Sequence, residues 1–299
     1  MIPYVLRIRT RRIALALPTL AAAALVALLA PGAARADSSQ STNWAGYAVH
    51  RSGIHFRQVV GAWTQPAVQC TPGSPTYSSM WVGIGGYSMS SQALEQIGTE
   101  ADCSGSGREL SSAWYELVPA DSRTIALPVA PGDGVVATVT VAGREVTLTL
   151  ADAATGRSFH RTLRASQLDT TSAEWILEAP SLCSGNSCRT LPLANFGSTG
   201  FAFAGATSTA GDSGPIQAPG WNATSISMTA GGQPRRGTGA RRASSVSVVP
   251  TAPSYGGSLF TVSFDDGRMG ATNAIESEAG HVPTDRLVHA WPGGARLSR

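Results

Sequence analysis

The sequence contains no lysine, and all 22 of its basic residues are arginine. Chemistry that needs a side-chain amine is therefore excluded; the bias itself suits either a genomic preference or life at low pH. Helical periodicity is also scarce beyond residue 36, which argues against a helical fold. No H-E-x-x-H pattern occurs, and His281 and His289 on their own make no credible metal site. Cysteine is limited to four residues, and no internal repeat is evident.

An excess of basic charge is missing too, once the first residues are set aside. Arg7, Arg9, Arg11 and Arg12 precede an apolar run over 13–30 that closes on Ala34-Arg35-Ala36, the pattern of a removed secretory signal cleaved before Asp37. A membrane anchor is the competing reading, but Pro18 interrupts the run and a small-residue cleavage site follows it directly. The Arg11-Arg12 pair raises the question of twin-arginine export without deciding it. Five of the 22 basic residues leave with residues 1–36 and none of the 19 acidic ones does, so the mature chain carries 17 against 19, a net charge of −2. That balance gives no electrostatic footprint for nucleic acid. The expected product is exported, free of the membrane after signal removal, and monomeric.

Removal of the signal leaves 263 of the 299 residues, enough for one substantial core. In an exported chain the four cysteines favour disulfides over a metal site. Cys183 and Cys188, separated by Ser-Gly-Asn-Ser, look like a local staple, which leaves Cys70 for Cys103; four cysteines formally allow three pairings.

What is present is a succession of short alternating runs bounded by Gly, Pro, Ser and Asn. At 135–141, Val135, Ala137, Val139 and Val141 share one face; a turn through Gly143 then leads to Val146, Leu148 and Leu150, predicting an antiparallel hairpin. Further strands are expected at 43–49, 58–64, 79–84, 93–98, 111–117, 173–178, 201–206, 225–229 and 259–264. Their number and spacing predict an all-β fold of two packed sheets. Residues 231–244 read as a solvated loop before a last pair of strands, since no aromatic is interleaved with its arginines. The domain is expected to span 37–265, followed by a weakly ordered tail over 266–299.

Strand alternation also indicates which polar residues share a face. In Ala173-Glu174-Trp175-Ile176-Leu177-Glu178 the two glutamates lie with Ile176, opposite Trp175 and Leu177, so one side meets a core and the other is wet or functional. In Ser112-Ala113-Trp114-Tyr115-Glu116, Trp114 and Glu116 share a side with Ser112. Gln96, within Leu94-Glu95-Gln96-Ile97-Gly98, sits in an apolar strand where its amide must find partners or face a cleft.

Taken in order, these segments resemble the glutamic peptidase (eqolisin) family, and the chain is identified as a bacterial secreted member of it. The resemblance rests on Asn43-Trp44-Ala45-Gly46-Tyr47, Trp81-Val82-Gly83-Ile84, Gln96-Ile97-Gly98, Ala113-Trp114-Tyr115-Glu116 and the segment from Ala173 to Glu178, with Cys183 and Cys188 resembling the disulfide loop that follows. It covers residues 41–264. It implies a lectin-like (concanavalin-type) β-sandwich of two curved antiparallel sheets, with Gln96 and Glu178 as the catalytic pair on a concave face, surrounded by Trp81, Trp114 and Glu116. It also implies a secreted acid endopeptidase acting on protein or peptide substrates, with no cofactor. Glu178 would take a proton from water and later return it to the leaving amine, while Gln96 orients the water and donates to the oxyanion. A glutamate has an intrinsic pKa of about 4.3, which places greatest activity in acid. Glu116 could share a proton with Glu178, the two then titrating together. Two departures stand out: the family commonly has an aspartate after Trp-Val-Gly-Ile, where this chain has Gly85, and another before Ala-Trp-Tyr-Glu, where it has Ser112. Only about six residues separate the expected cleavage site from the first expected strand, leaving no room for the substantial propeptide of fungal relatives.

Three other readings compete. Gly211-Asp212-Ser213-Gly214-Pro215 echoes the nucleophile segment of trypsin-like serine peptidases, but His50, His55 and His160 lack the expected context. A carbohydrate-binding module could use Trp44, Trp63, Trp81, Trp114 and Tyr115, although it would have no need of Gln96 with Glu178. A glycosidase would want two carboxylates, which Glu116 and Glu178 could imitate.

Overall fold

A computed structural model describes residues 37–184, 187–230 and 245–267. The expected signal (1–36), residues 185 and 186, the loop expected over 231–244 and the tail from 268 onward lie outside the described residues. Among the described residues there is no α-helix, only a single 3-10 turn at Tyr255–Gly257.

The hairpin that alternation predicted is β8 (Gly134–Ala142) and β9 (Glu145–Asp152), joined through Gly143, with Val135, Ala137, Val139, Val146, Leu148 and Leu150 all buried. Around it the chain builds one layer from β3 (Phe56–Thr64), β10 (Ser158–Arg164), β14 (Ser198–Ser208) and β18 (Phe260–Asp265), in the order β10-β9-β8-β3-β14-β18. Hydrogen bonding continues through β17 (Val246–Pro250) and β16 (Asn222–Ala230) into a second layer. There β2 (Trp44–His50), β11 (Ser172–Glu178), β4 (Ser79–Ile84), β5 (Glu95–Cys103), β6 (Glu109–Leu117) and β7 (Arg123–Ile125) lie side by side in the order β2-β11-β4-β5-β6-β7. Short β15 (Ser213–Pro215) pairs with β14, and β12 (Ser181–Ser184) with β13 (Ser187–Thr190) forms a separate hairpin.

The layers meet through alternating apolar side chains, among them Val82, Ile97, Trp175, Val139 and Leu148. Two indoles carry their polar atom into this core and are satisfied there: Trp175 Nε1 donates to Val60 O at 2.7 Å and Trp63 Nε1 to Thr99 Oγ1 at 2.9 Å. The result is the expected all-β sandwich of antiparallel strands. Trp63, one of the candidate carbohydrate-stacking aromatics, is thus buried in the inter-sheet core. Disulfides join Cys70 to Cys103 and Cys183 to Cys188. The first pins the β3–β4 connection to the end of β5, and the second closes the β12–β13 hairpin.

One difference concerns the start of the domain. Residues read as a short lead-in form β1 (Asp37–Ser41), which pairs in parallel with β16 from Asp37 opposite Thr224 to Ser41 opposite Met228. On β11, where one face was expected to meet a core and the other to be wet or functional, every residue is buried, so neither face is wet.

Candidate active site

Glu178 and Gln96 share one face of the second layer, the face turned away from the inter-sheet core. The pairing register arranges that face in rows. One row runs Trp44, Glu178, Ser79, Glu100, Ser112; the next Gly46, Ile176, Trp81, Gly98, Trp114; the third Ala48, Glu174, Gly83, Gln96, Glu116. Glu178 and Gln96 therefore stand two strands and two rows apart, with the Trp81 row between them. Glu178, Gln96, Trp81, Trp114 and Glu116, the five residues singled out in the sequence, are all on this face, and none is more than 1 % exposed.

Their polar atoms are held from several sides. Trp81 Nε1 donates to Glu178 Oε2 at 2.8 Å, and Asn43 Nδ2 donates to Oε1 at 3.3 Å. Gln96 Nε2 donates to Glu116 Oε2 at 2.8 Å, whereas Gln96 Oε1 is buried without a hydrogen-bond partner. Trp114 Nε1 donates to Ser79 Oγ at 3.2 Å, and Trp44 meets Trp81 edge-on with centroids 4.9 Å apart. Gly98 makes room for this arrangement: a Cβ there would lie 2.1 Å from Met80 O and 2.6 Å from Trp81 Cβ. No larger residue could leave the indole where it is.

A second cluster of acids adjoins the third row. Glu174, opposite Gln96 across Gly83, is fully buried, as is Glu95, and neither carboxyl makes a hydrogen bond. Burial is the main influence on Glu95, reinforced by the charge of Asp169 and only partly offset by the proximity of its own backbone amide, and its pKa is pushed up to about 9. Glu174 is raised well above its ordinary value, first by burial; the nearby Ser172 hydroxyl opposes this, and the charges of Asp169 and Glu95 add to it. Burial is also the largest influence on Asp169 and pushes its pKa up. There, however, hydrogen bonds from Ser91, Thr171 and the Gly86 amide together outweigh burial and hold the carboxyl below its usual range.

Alternation places Glu174 on the face of Glu178, whereas Glu95, Asp169 and Glu100 were missed in the sequence. Continuing the alternation from Gln96 through Gly98 would have put Glu100 on the same face, where it accepts a hydrogen bond from Ser112 Oγ. Asp169 gives no such signal because it lies in the β10–β11 connection. Its backbone carbonyl and Cβ sit directly against Gly85 and its carboxylate accepts from the amide of Gly86, so an acidic residue adjoins each position at which the chain departs from the family pattern, Glu100 at Ser112 and Asp169 at Gly85.

The competing readings find less support. Ser213 Oγ donates to Thr207 Oγ1 at 3.0 Å, while the side chains of His50, His55 and His160 each bond a threonine elsewhere. Tyr115 points to the other side of β6 and accepts from Arg161 at 3.1 Å, away from Trp81 and Trp114.

Comparison with known proteins adds three findings. The profile of the Peptidase A4 family matches residues 42–249. Among solved structures, scytalido-glutamic peptidase with a peptide-based transition state analog is 23 % identical, covers 75 % of this chain and 98 % of its own, and superposes with a TM-score of 0.56. SCP-B, a member of the eqolisin family in complex with the tripeptide Ala-Ile-His, has 23 % identity, the same coverages and a TM-score of 0.51. At these identities the two structures show a shared fold. No curated protein sequence matches.

Proposed function

The chain belongs to the Peptidase A4 family and is a peptidase, and from that membership we propose a secreted acid endopeptidase that works through Glu178 and Gln96. The observation that carries the reading is that a carboxylate and a carboxamide, both buried, stand on one sheet face with different anchors. Glu178 is oriented by the Trp81 indole and by Asn43. Gln96 is tethered through one N–H to Glu116, which leaves its second N–H and its orphaned Oε1 for the reaction.

In the proposed sequence, water hydrogen-bonds to Gln96 Oε1 and loses a proton to the Glu178 carboxylate as its oxygen attacks the scissile carbonyl. The carbonyl π electrons move to oxygen, and the remaining Gln96 N–H donates to that oxyanion. Collapse of the tetrahedral species expels the amine, which takes the proton from Glu178, so the carboxylate is restored. Trp81 and Trp114 supply apolar floor for the peptide. Export of the mature chain follows from the signal read at residues 1–36, which also accounts for the disulfides.

The test is digestion of an unfolded protein by purified mature enzyme at about pH 3–5. Glu178→Gln and Gln96→Ala should each abolish cleavage with the fold intact, and Ser213→Ala should leave it unchanged. Activity that survives both of the first two substitutions refutes the proposal.

A further inference from the structure

The connection between β4 and β5, residues 85–94, borders the third row of the site, and it is anchored more heavily than a surface turn requires. It opens on two glycines with positive φ, Gly85 at 88° and Gly86 at 89°. A Cβ on Gly85 would lie 2.4 Å from Asp169 O and 2.9 Å from Asp169 Cβ, so the loop is pressed against Asp169 with nothing between. The Asp169 carboxylate then ties both parts of the loop to the β10–β11 connection: Oδ2 accepts from the Gly86 amide at 3.3 Å and from the Ser91 hydroxyl. Oδ1 accepts from the amide and hydroxyl of Thr171, at 2.9 and 2.7 Å, which fixes the aspartate itself.

Tyr87 lies between the two tie points. Its ring stacks on His50, with centroids 4.7 Å apart and planes 20° off parallel, and His50 Nε2 is in turn 2.9 Å from Thr224 Oγ1. Tyr87 is half-buried against the apolar group that contains Trp81, Leu94 and Ile176. Leu94, at the end of the same loop, reaches over Gly83, the register partner of Gln96. The wall next to Gln96 is therefore apolar and aromatic, and the one carboxylate that holds it is already engaged by four donors.

We propose that Asp169 is a positioning residue for substrate selection: it straps the 85–94 loop so that Tyr87 forms one wall of a subsite for an apolar side chain of the peptide substrate. This rests on the peptidase reading of the same face. An apolar occupant fits because the wall offers ring and aliphatic surface, its tie Asp169 is committed to four donors, and the nearby Glu95 and Glu174 carboxyls are fully buried.

Quenched fluorescent peptides that differ only by Phe or Ser at each position flanking the cleaved bond test the proposal. Tyr87→Ala should raise KM for the Phe peptide about tenfold at one position, with kcat within about twofold and the Ser peptide unaffected. Tyr87→Phe should restore the wild-type ratio, and Asp169→Ala should reproduce the loss. Should Asp169→Ala fail to fold, Ser91→Ala removes one tie and should lower the Phe-to-Ser ratio in the same direction. An unchanged ratio in Tyr87→Ala, or in a folded Asp169→Ala or Ser91→Ala variant, overturns the proposal even if only the melting temperature falls. The reading of this face as the active site fails differently, in Glu178→Gln and Gln96→Ala variants that are both as active as wild type, and such a result would remove the subsite with it.

Discussion

Replacing Glu95 by glutamine should make the protein more stable at neutral pH and leave it unchanged in acid. The carboxyl is fully buried, forms no hydrogen bond, and has its pKa raised from 4.5 to about 9. A carboxyl raised on folding favours the native state fully below the unfolded pKa, and that contribution drains away as pH climbs toward the folded value. The window here runs from about pH 4.5 to about pH 9. At pH 7 the unfolded chain has released the proton and the native one has kept it, over roughly 2.5 pH units, which amounts to about 3 kcal/mol lost relative to pH 4.5. Glutamine resembles the protonated acid in shape and does not titrate, so it escapes the loss. Urea unfolding of wild type and Glu95→Gln at pH 4.5 and pH 7 measures the difference. The curves should nearly coincide at the lower pH, and at pH 7 the variant midpoint should lie about 1 M or more higher. A stability gap between the two proteins that is the same at both pH values would refute the reasoning.

Other substitutions probe the site and its frame. Trp81→Phe removes the donor to Glu178 Oε2 and should lower kcat about tenfold or more, read by steady-state kinetics on a peptide. Gly98→Ala forces a Cβ within 2.1 Å of Met80 O and should cost about 3 kcal/mol or more, visible as a lower melting temperature. Replacing both Cys70 and Cys103 by serine opens a loop of sequence separation 33 and should cost about 4 kcal/mol; doing so at Cys183 and Cys188, separation 5, should cost about 2 kcal/mol, both measured by denaturant unfolding.

The sequence displayed the β8–β9 hairpin well because the two faces of its strands differ. Val135 to Val141 alternates visibly, and β8 has buried and more exposed residues in turn. Strands near the margins were harder to see. β1 reads Asp-Ser-Ser-Gln-Ser, with no apolar residue, and exists through backbone pairing to β16 that composition does not announce. β10 offers only Phe159 and Leu163, both half-buried, among exposed polar residues. β5 was expected over 93–98, and the part beyond it carries Glu100 and Asp102, acids of a type mostly found exposed. Each is instead buried, Glu100 beside Ser112 and Asp102 accepting from the Ser78 amide at 3.0 Å. The candidate pair itself was legible through ordered motifs, whereas Asp169 was not, since tertiary folding alone brings its loop against Gly85.

Gly98 illustrates how a peptidase site can depend on an atom that never meets the substrate. The orientation of the Glu178 carboxylate is inherited from an indole, and the indole's seat is a hydrogen atom on a neighbouring strand. A library built to change what this protein cleaves can vary Tyr87 while keeping Gly85, Gly86 and Ser91, but it should leave position 98 alone, because diversity there would be spent on variants in which Glu178, the proposed base, is displaced.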